Sequence, residues 1–76
     1  MKARGHVVLR GADGAVATYA GELVLADGGI WLRRDRGTWE GAPLAAILGA
    51  EAGAGAWLFL PLHMVAGVST DDDPAE

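Results

Sequence analysis

Residues able to take part in catalysis are few in this chain and lie far apart in the sequence. His6 and His63, the two histidines, each lie in an apolar run without a second metal ligand three or four positions away, so packing or strand-edge roles are predicted for both. Ser69 lacks the glycine-flanked turn of a nucleophile elbow, and no glycine-rich segment matches a phosphate-binding loop. Catalysis needs a nucleophile, a base and an oxyanion donor that converge. The sequence therefore predicts a protein that is not an enzyme and has no catalytic residue, cofactor or metal site.

Trp31, Arg33, Arg34 and Arg36 form the cluster in which cations lie beside an aromatic residue. Arginines that neutralise phosphates, next to a ring that stacks on bases, suit nucleic-acid binding. The alternative is an ordinary solvated strand end, on which an arginine covers part of Trp31. Because a run of carboxylates near the end of the sequence opposes a polyanion, nucleic-acid binding is the second of two functional hypotheses.

The three tryptophans support the leading hypothesis. Trp57 is predicted to be core, whereas Trp31 is predicted to face away from the core and Trp39 falls in a glycine-rich loop. Exposed aromatics beside arginines are typical of protein-binding surfaces, although Trp39 could instead plug one end of the domain. We expect a module that associates with itself or with another protein through the Trp31/Trp39 surface and an apolar strand edge such as residues 57–60. The predicted interaction residues are Trp31, Arg33, Arg34, Arg36, Trp39, Trp57 and Phe59.

The net charge of −4 over 76 residues is concentrated at one end of the sequence. Residues 71–76 contain four carboxylates, while the six acidic and six basic residues of positions 1–70 balance. One small core is all that this length allows. The sequence thus predicts a single domain over residues 1–70 and a disordered acidic tail over residues 71–76.

Composition narrows the cellular setting. The chain has no cysteine, which excludes disulfides and thiolate metal sites. The apolar run before Arg10 is too short for a signal peptide, and Glu51, Pro61 and His63 interrupt the apolar stretch 42–68, so we expect a cytoplasmic protein with no membrane contact. Heavy use of Ala, Gly and Arg without Asn or Gln suggests a bacterial or phage origin.

Short strands separated by turn residues are predicted for the first half of the chain. Apolar residues alternate along 16–26, which is typical of a half-buried strand, and Gly21 within it suggests a bulge or sharp bend. The turn formers 27–29 predict a tight hairpin into a strand over 30–34. A further strand is predicted at residues 7–9, before the turn 11–14.

The second half of the chain is predicted to contain a short helix or loop followed by two further strands. Pro43 can begin a short helix over about 43–51, although the glycines between 41 and 55 are equally consistent with a loop. Residues 56–60 are apolar on both faces, which is typical of a central or covered strand. Pro61 ends that strand, and a turn at 62–64 precedes a last strand over 65–69.

This order of elements resembles that of SH3-like small β-barrels of four to five antiparallel strands, and most of all the Sm-like family. Residues at the family's spacing are Gly21, Leu23, Asp27, Ile30 and Leu32, together with the closing stretch 60–68. The resemblance covers roughly residues 7–34 and 56–69. It implies a barrel fold and ring-like or dimeric assembly through edge strands. Trp31 stands where RNA-binding members usually carry asparagine, and the closing stretch lacks their Arg-Gly or Lys-His element, so the family's RNA contacts are not carried over.

Overall fold

The computed structural model describes residues 2–49 and 55–71, and it is mainly β, as predicted. One antiparallel sheet contains β1 (Lys2–Arg10), β2 (Val16–Ala26), β3 (Gly29–Arg33), β4 (Thr38–Gly41), β5 (Trp57–Pro61) and β6 (Val65–Thr70). A short helix α1 (Leu44–Leu48) follows β4, and 3-10 turns precede β4 and β6 at Arg34–Arg36 and Leu62–Met64. Asp71 is the one described residue of the predicted tail, and residues 72–76 lie outside the described part of the chain.

The strand order is β5-β3-β2-β1-β6, with β4 also paired to β2. The long β2 makes this possible, because its first half pairs with β4 and its second half with β3. β5 and β6 lie at the two ends of this order, yet along the chain only the three-residue turn Leu62–Met64 joins them. That turn spans about 6 Å, whereas the edges of a flat sheet of five strands lie about 19 Å apart, so the sheet must be curled.

The curled sheet is nevertheless not closed into a barrel, which differs from the predicted architecture. No pairing in the described residues joins β5 to β6, because β5 follows β3 and β6 follows β1 away from their shared turn. The core fills the concave side. Its fully buried large side chains are Val7, Leu9, Tyr19, Leu23, Leu32 and Leu60.

The first strand begins at Lys2, five residues before the predicted start. Burial alternates along all of β1, with Ala3 and Gly5 facing inward and Arg4 facing solvent. Gly5 has to be small, since a Cβ there would lie 2.1 Å from the Ser69 carbonyl oxygen. Two small inward residues weaken the apolar alternation on which the strand prediction depended.

The remaining element predictions are confirmed or shifted. The strand 16–26 and the hairpin are confirmed, and Gly28 has a positive φ of 79° at the turn. The β1–β2 register passes through Gly21 without a shift, so the predicted bulge is absent from this pair. Helix α1 is shorter than predicted and stops at Gly49, which has a φ of 62°. Residues 50–54 of the predicted helix and loop lie outside the described residues.

Candidate protein-binding surface

The outer face of β3 and β5 carries most of the predicted interaction residues. Trp31 lies opposite Phe59, and Arg33 lies opposite Trp57. Side chains alternate between the two faces of a strand, and the even-numbered residues of both strands point into the core. Trp57 therefore lies on the outer face. The prediction that it is a core residue, which was based on its apolar neighbours, is wrong.

We call Trp31, Arg33, Trp57 and Phe59 the aromatic face. Its three aromatic residues Trp31, Trp57 and Phe59 are 41%, 38% and 37% exposed. The Trp31 and Phe59 ring centroids are 5.1 Å apart with a tilt of 56°, and the Arg33 Cζ lies 5.5 Å from the Trp57 ring centroid. This is a contiguous apolar surface with a guanidinium at one end, as is typical of protein-binding sites.

Backbone hydrogen bonds define which groups of β5 remain on its free side. The Arg34 N–H donates to the Ala56 carbonyl at 2.8 Å, and the Leu62 N–H donates to the Gly28 carbonyl at 3.1 Å. These two bonds bracket the β3–β5 ladder, and antiparallel ladders alternate between hydrogen-bonded and non-hydrogen-bonded pairs. Even-numbered residues therefore form the hydrogen-bonded pairs.

The odd-numbered residues of β5 consequently direct their backbone groups away from β3. Trp57 and Phe59 each present one N–H and one C=O on that side, whereas Pro61 presents only a C=O. Their pairs with Arg33 and Trp31 are the closer kind, with Cα atoms about 4.5 Å apart, which brings the side chains into contact. The aromatic face thus lies along a sheet edge that is able to accept another strand.

Trp39 lies on the other side of the sheet and is not part of this surface. It belongs to β4 rather than to the predicted loop, and it is half-buried. Its Nε1 donates to the Arg34 carbonyl at 3.1 Å, and its ring centroid is 4.8 Å from that of Tyr19. This is the alternative role, in which Trp39 packs against the core.

Tyr19 fixes the end of β3 behind the aromatic face. Its hydroxyl donates a hydrogen bond to the Arg33 carbonyl at 2.8 Å. The Glu22 carbonyl, at 3.1 Å, is a second acceptor within reach of the same hydroxyl. Burial raises the pKa of the Tyr19 phenol, and the nearby charge of Glu22 raises it further. The neutral hydroxyl is thus kept as a donor that ties β2 to β3.

The three predicted arginines differ in their surroundings. Arg33 Nε pairs with Asp35 Oδ1 at 2.9 Å while its guanidinium stacks on Trp57. Arg34 is half-buried, and Arg36 is exposed. Arg33 thus belongs to the aromatic face through its contact with the Trp57 ring.

A row of charges beside the aromatic face was missed from the sequence. Arg4 lies opposite Glu22, and the Asp71 N–H donates to the Arg4 carbonyl at 2.8 Å. Lys2 Nζ lies 2.8 Å from Glu22 Oε2, and this hydrogen bond lowers the pKa of Glu22, with further lowering by the charges of Lys2, Arg33 and Arg36. Lys2 and Arg4 alternate with the small residues Ala3 and Gly5, and this alternation was the signal that could have placed both charges on the outer face of β1.

The candidate catalytic residues do not form a site. The β1–β6 register places His6 opposite Ser69, but both are exposed and their side chains form no hydrogen bond with each other. His63 is exposed in the turn before β6. Within residues 2–49 and 55–71, no group of three or more metal-ligating side chains is close enough to hold an ion.

No helix within the described ranges is long and apolar enough to cross a membrane.

Comparison of the chain with protein-family models, with curated proteins and with solved structures found no match.

Proposed function

We propose that this chain is a non-enzymatic association domain, which binds a second copy of itself or another protein through the aromatic face. The observation that carries the proposal is three neighbouring exposed rings, two on the edge strand β5 and one on β3 beside it. Removing large aromatic side chains from water provides much of the free energy of protein binding, and such residues are enriched in interaction hot spots. A stacked arginine adds a planar hydrogen-bonding group at the end of the surface.

The SH3-like and Sm-like resemblance is part of the same proposal. The curled sheet and the short turn at 62–64 before the last strand support it, and the family resemblance implies assembly through edge strands. We place the protein in the cytoplasm of a bacterium or in a phage, as an accessory or structural component. Its charge pattern supports this role, since a body with balanced charges associates readily and an acidic run keeps it soluble.

The test is the mass of the protein as a function of concentration, measured by light scattering. We expect the mass to rise above the 7.8 kDa of one chain, and Trp31→Ala to shift that rise to higher concentration. Val68→Ala is the matched control, because Val68 is 42% exposed but lies on β6, at the opposite edge. A constant mass of one chain, together with a Trp31→Ala variant that retains the same bound proteins as the wild type, would contradict the proposal.

A second candidate function is nucleic-acid binding through Arg33, Arg34 and Arg36. The observation that favours it is a group of cations around Glu22: Lys2 Nζ lies 2.8 Å from its carboxylate, Arg4 is its cross-strand partner, and the charges of Arg33 and Arg36 also lower its pKa. Binding of a labelled oligonucleotide that weakens steeply with salt would support this function. Absence of binding at low salt would exclude it.

A further inference from the structure

We infer that the occupant of the β5 edge is a second copy of this chain, with the two β5 strands paired antiparallel about a two-fold axis at Leu58. The inference rests on the association function proposed above and names the partner and the geometry. It follows from the backbone groups of β5, the proline at its end and the distribution of charge.

The free side of β5 is complementary to itself. In an antiparallel pair with its axis at Leu58, Trp57 lies opposite Phe59 of the partner subunit, and Phe59 lies opposite the partner's Trp57. Both residues direct an N–H and a C=O outward, so the pair forms four hydrogen bonds and uses all of these groups. Such self-complementarity is what a two-fold interface requires, and an unpaired edge strand otherwise promotes aggregation.

Pro61 and Gly55 select this register over its neighbours. An axis at Phe59 would place Trp57 opposite Pro61 of the partner subunit, which has no N–H to donate, and would leave the Trp57 carbonyl unpaired. An axis at Trp57 would need Gly55 as a strand residue, whereas Gly55 lies in a bend before β5. Of these three axes, only the one at Leu58 pairs the outward N–H and C=O groups of both Trp57 and Phe59 with residues of β5.

The side chains extend the aromatic face across the axis. The outer row becomes Arg33, Trp57, Phe59 of the partner subunit and Trp31 of the partner subunit. Cross-strand aromatic pairs stabilise a sheet, so the second copy supplies rings next to the exposed ones.

Charge does not oppose pairing between two β5 edges. β5 contains no charged residue, so the two-fold axis brings no like charges face to face. The charges of residues 1–70 balance, and the acidic run from Asp71 follows β6 at the opposite edge. Two copies can therefore approach along β5 with Asp71 of each copy next to β6, at the far end of the strand order.

The first experiment is sedimentation of the full chain over a wide range of concentrations. We expect the mass to level off at two chains. Phe59→Pro removes the N–H on the free side and leaves the even-numbered hydrogen bonds to β3 in place, so the dimer should weaken at least ~30-fold relative to the matched control Phe59→Val. Circular dichroism establishes that both variants are folded.

The second experiment uses the absence of cysteine from the chain. Leu58→Cys would place a thiol opposite its own copy across the axis, with Cα atoms within the range of a disulfide. Leu60→Cys is the control, because it faces the same side of β5 but would lie opposite Ala56 of the partner subunit. We expect oxidation to yield a covalent dimer with Leu58→Cys and little with Leu60→Cys, and this readout decides the question if Phe59→Pro fails to fold.

The outcomes separate this inference from the proposed function. A single-chain mass at every concentration, or growth beyond two chains, would overturn the two-fold pairing. If Trp31→Ala disperses the assembly while Phe59→Pro behaves like Phe59→Val and neither cysteine cross-links selectively, association through the aromatic face stands and the β5 pairing is wrong.

Discussion

Tyr19 shows at the residue scale how two glycines allow an aromatic side chain to cross the core. A Cβ on Gly21 would lie 2.6 Å from the Tyr19 hydroxyl oxygen, and a Cβ on Gly37 would lie 2.1 Å from its ring carbon Cε1. The ring therefore passes directly over both backbones. In this position its hydroxyl reaches the Arg33 carbonyl and fixes the strand that carries Trp31.

Gly37→Ala should lower the free energy of unfolding by about 1–3 kcal/mol, because the added methyl group overlaps the buried Tyr19 ring. Gly67→Ala is the control, since nothing lies within 4 Å of a Cβ at that position. Urea denaturation of both variants measures the difference. Equal stability of the two variants would show that the Tyr19 ring does not occupy this position.

Glu22 should make stability depend on pH in the acidic range. Its pKa is lowered in the folded state, chiefly by the hydrogen bond from Lys2, so its contribution is present above its ordinary pKa of 4.5 and is lost as the pH falls through the folded value. Lys2→Met should reduce this loss on acidification. Thermal unfolding between pH 7 and pH 3 measures it, with Glu40→Gln as the control for removal of a surface carboxylate. The same pH profile in wild type and Lys2→Met would contradict the role of this pair.

The aromatic face was only partly predictable at the residue scale. Alternation with Ile30 and Leu32 correctly placed Trp31 outward, because polar and apolar residues differ along β3. Trp57 was placed wrongly, since its neighbours in β5 are all apolar and no local pattern distinguishes the inner face from the outer one.

At the scale of elements, α1 joins the core although it is only five residues long. Ile47 is 6% exposed and belongs to the same buried cluster as the strand residues. A helix this short has little stability of its own, so packing of Ile47 must hold it in place.

Ile47→Ala should therefore lower the free energy of unfolding by about 2–5 kcal/mol, as expected for truncation of a buried side chain. Ala45→Ser, at an exposed position of the same helix, is the control and should change stability only slightly. Chemical denaturation compares the two. A cost for Ile47→Ala as small as that for Ala45→Ser would mean that α1 is not part of the cooperative fold.

At the scale of the whole molecule, the curled sheet has β5 and β6 at the two ends of its main strand order, and only a three-residue turn separates them along the chain. Curling buries the core without closing the hydrogen-bonded ladder. The β5 edge thus remains able to bind another strand, which links the architecture to the association that we propose.

The acidic run carries the net charge of the molecule, so we expect it to add a long-range repulsion between two copies. Asp72→Asn, Asp73→Asn and Glu76→Gln together remove three of the four net negative charges and leave a net charge of −1. We expect the triple variant to associate at lower protein concentration than the wild type in low salt, because repulsion between copies is weaker. Light scattering measures this, and the difference should shrink in high salt, where charges are screened. An unchanged concentration dependence in low salt would show that these charges do not limit association.

The sequence by itself determined the strand 16–26, the hairpin at 27–29 and the outward position of Trp31. These features depend on side-chain alternation and on turn residues, which act over a few neighbouring positions. It also determined that the residues responsible for the net charge lie after position 70. Only the tertiary structure decided that β5 is an edge strand, that Trp57 faces outward and that Trp39 packs on Tyr19. The reason is that these outcomes depend on pairings between segments far apart in the chain, such as Trp31 with Phe59, which no local pattern encodes.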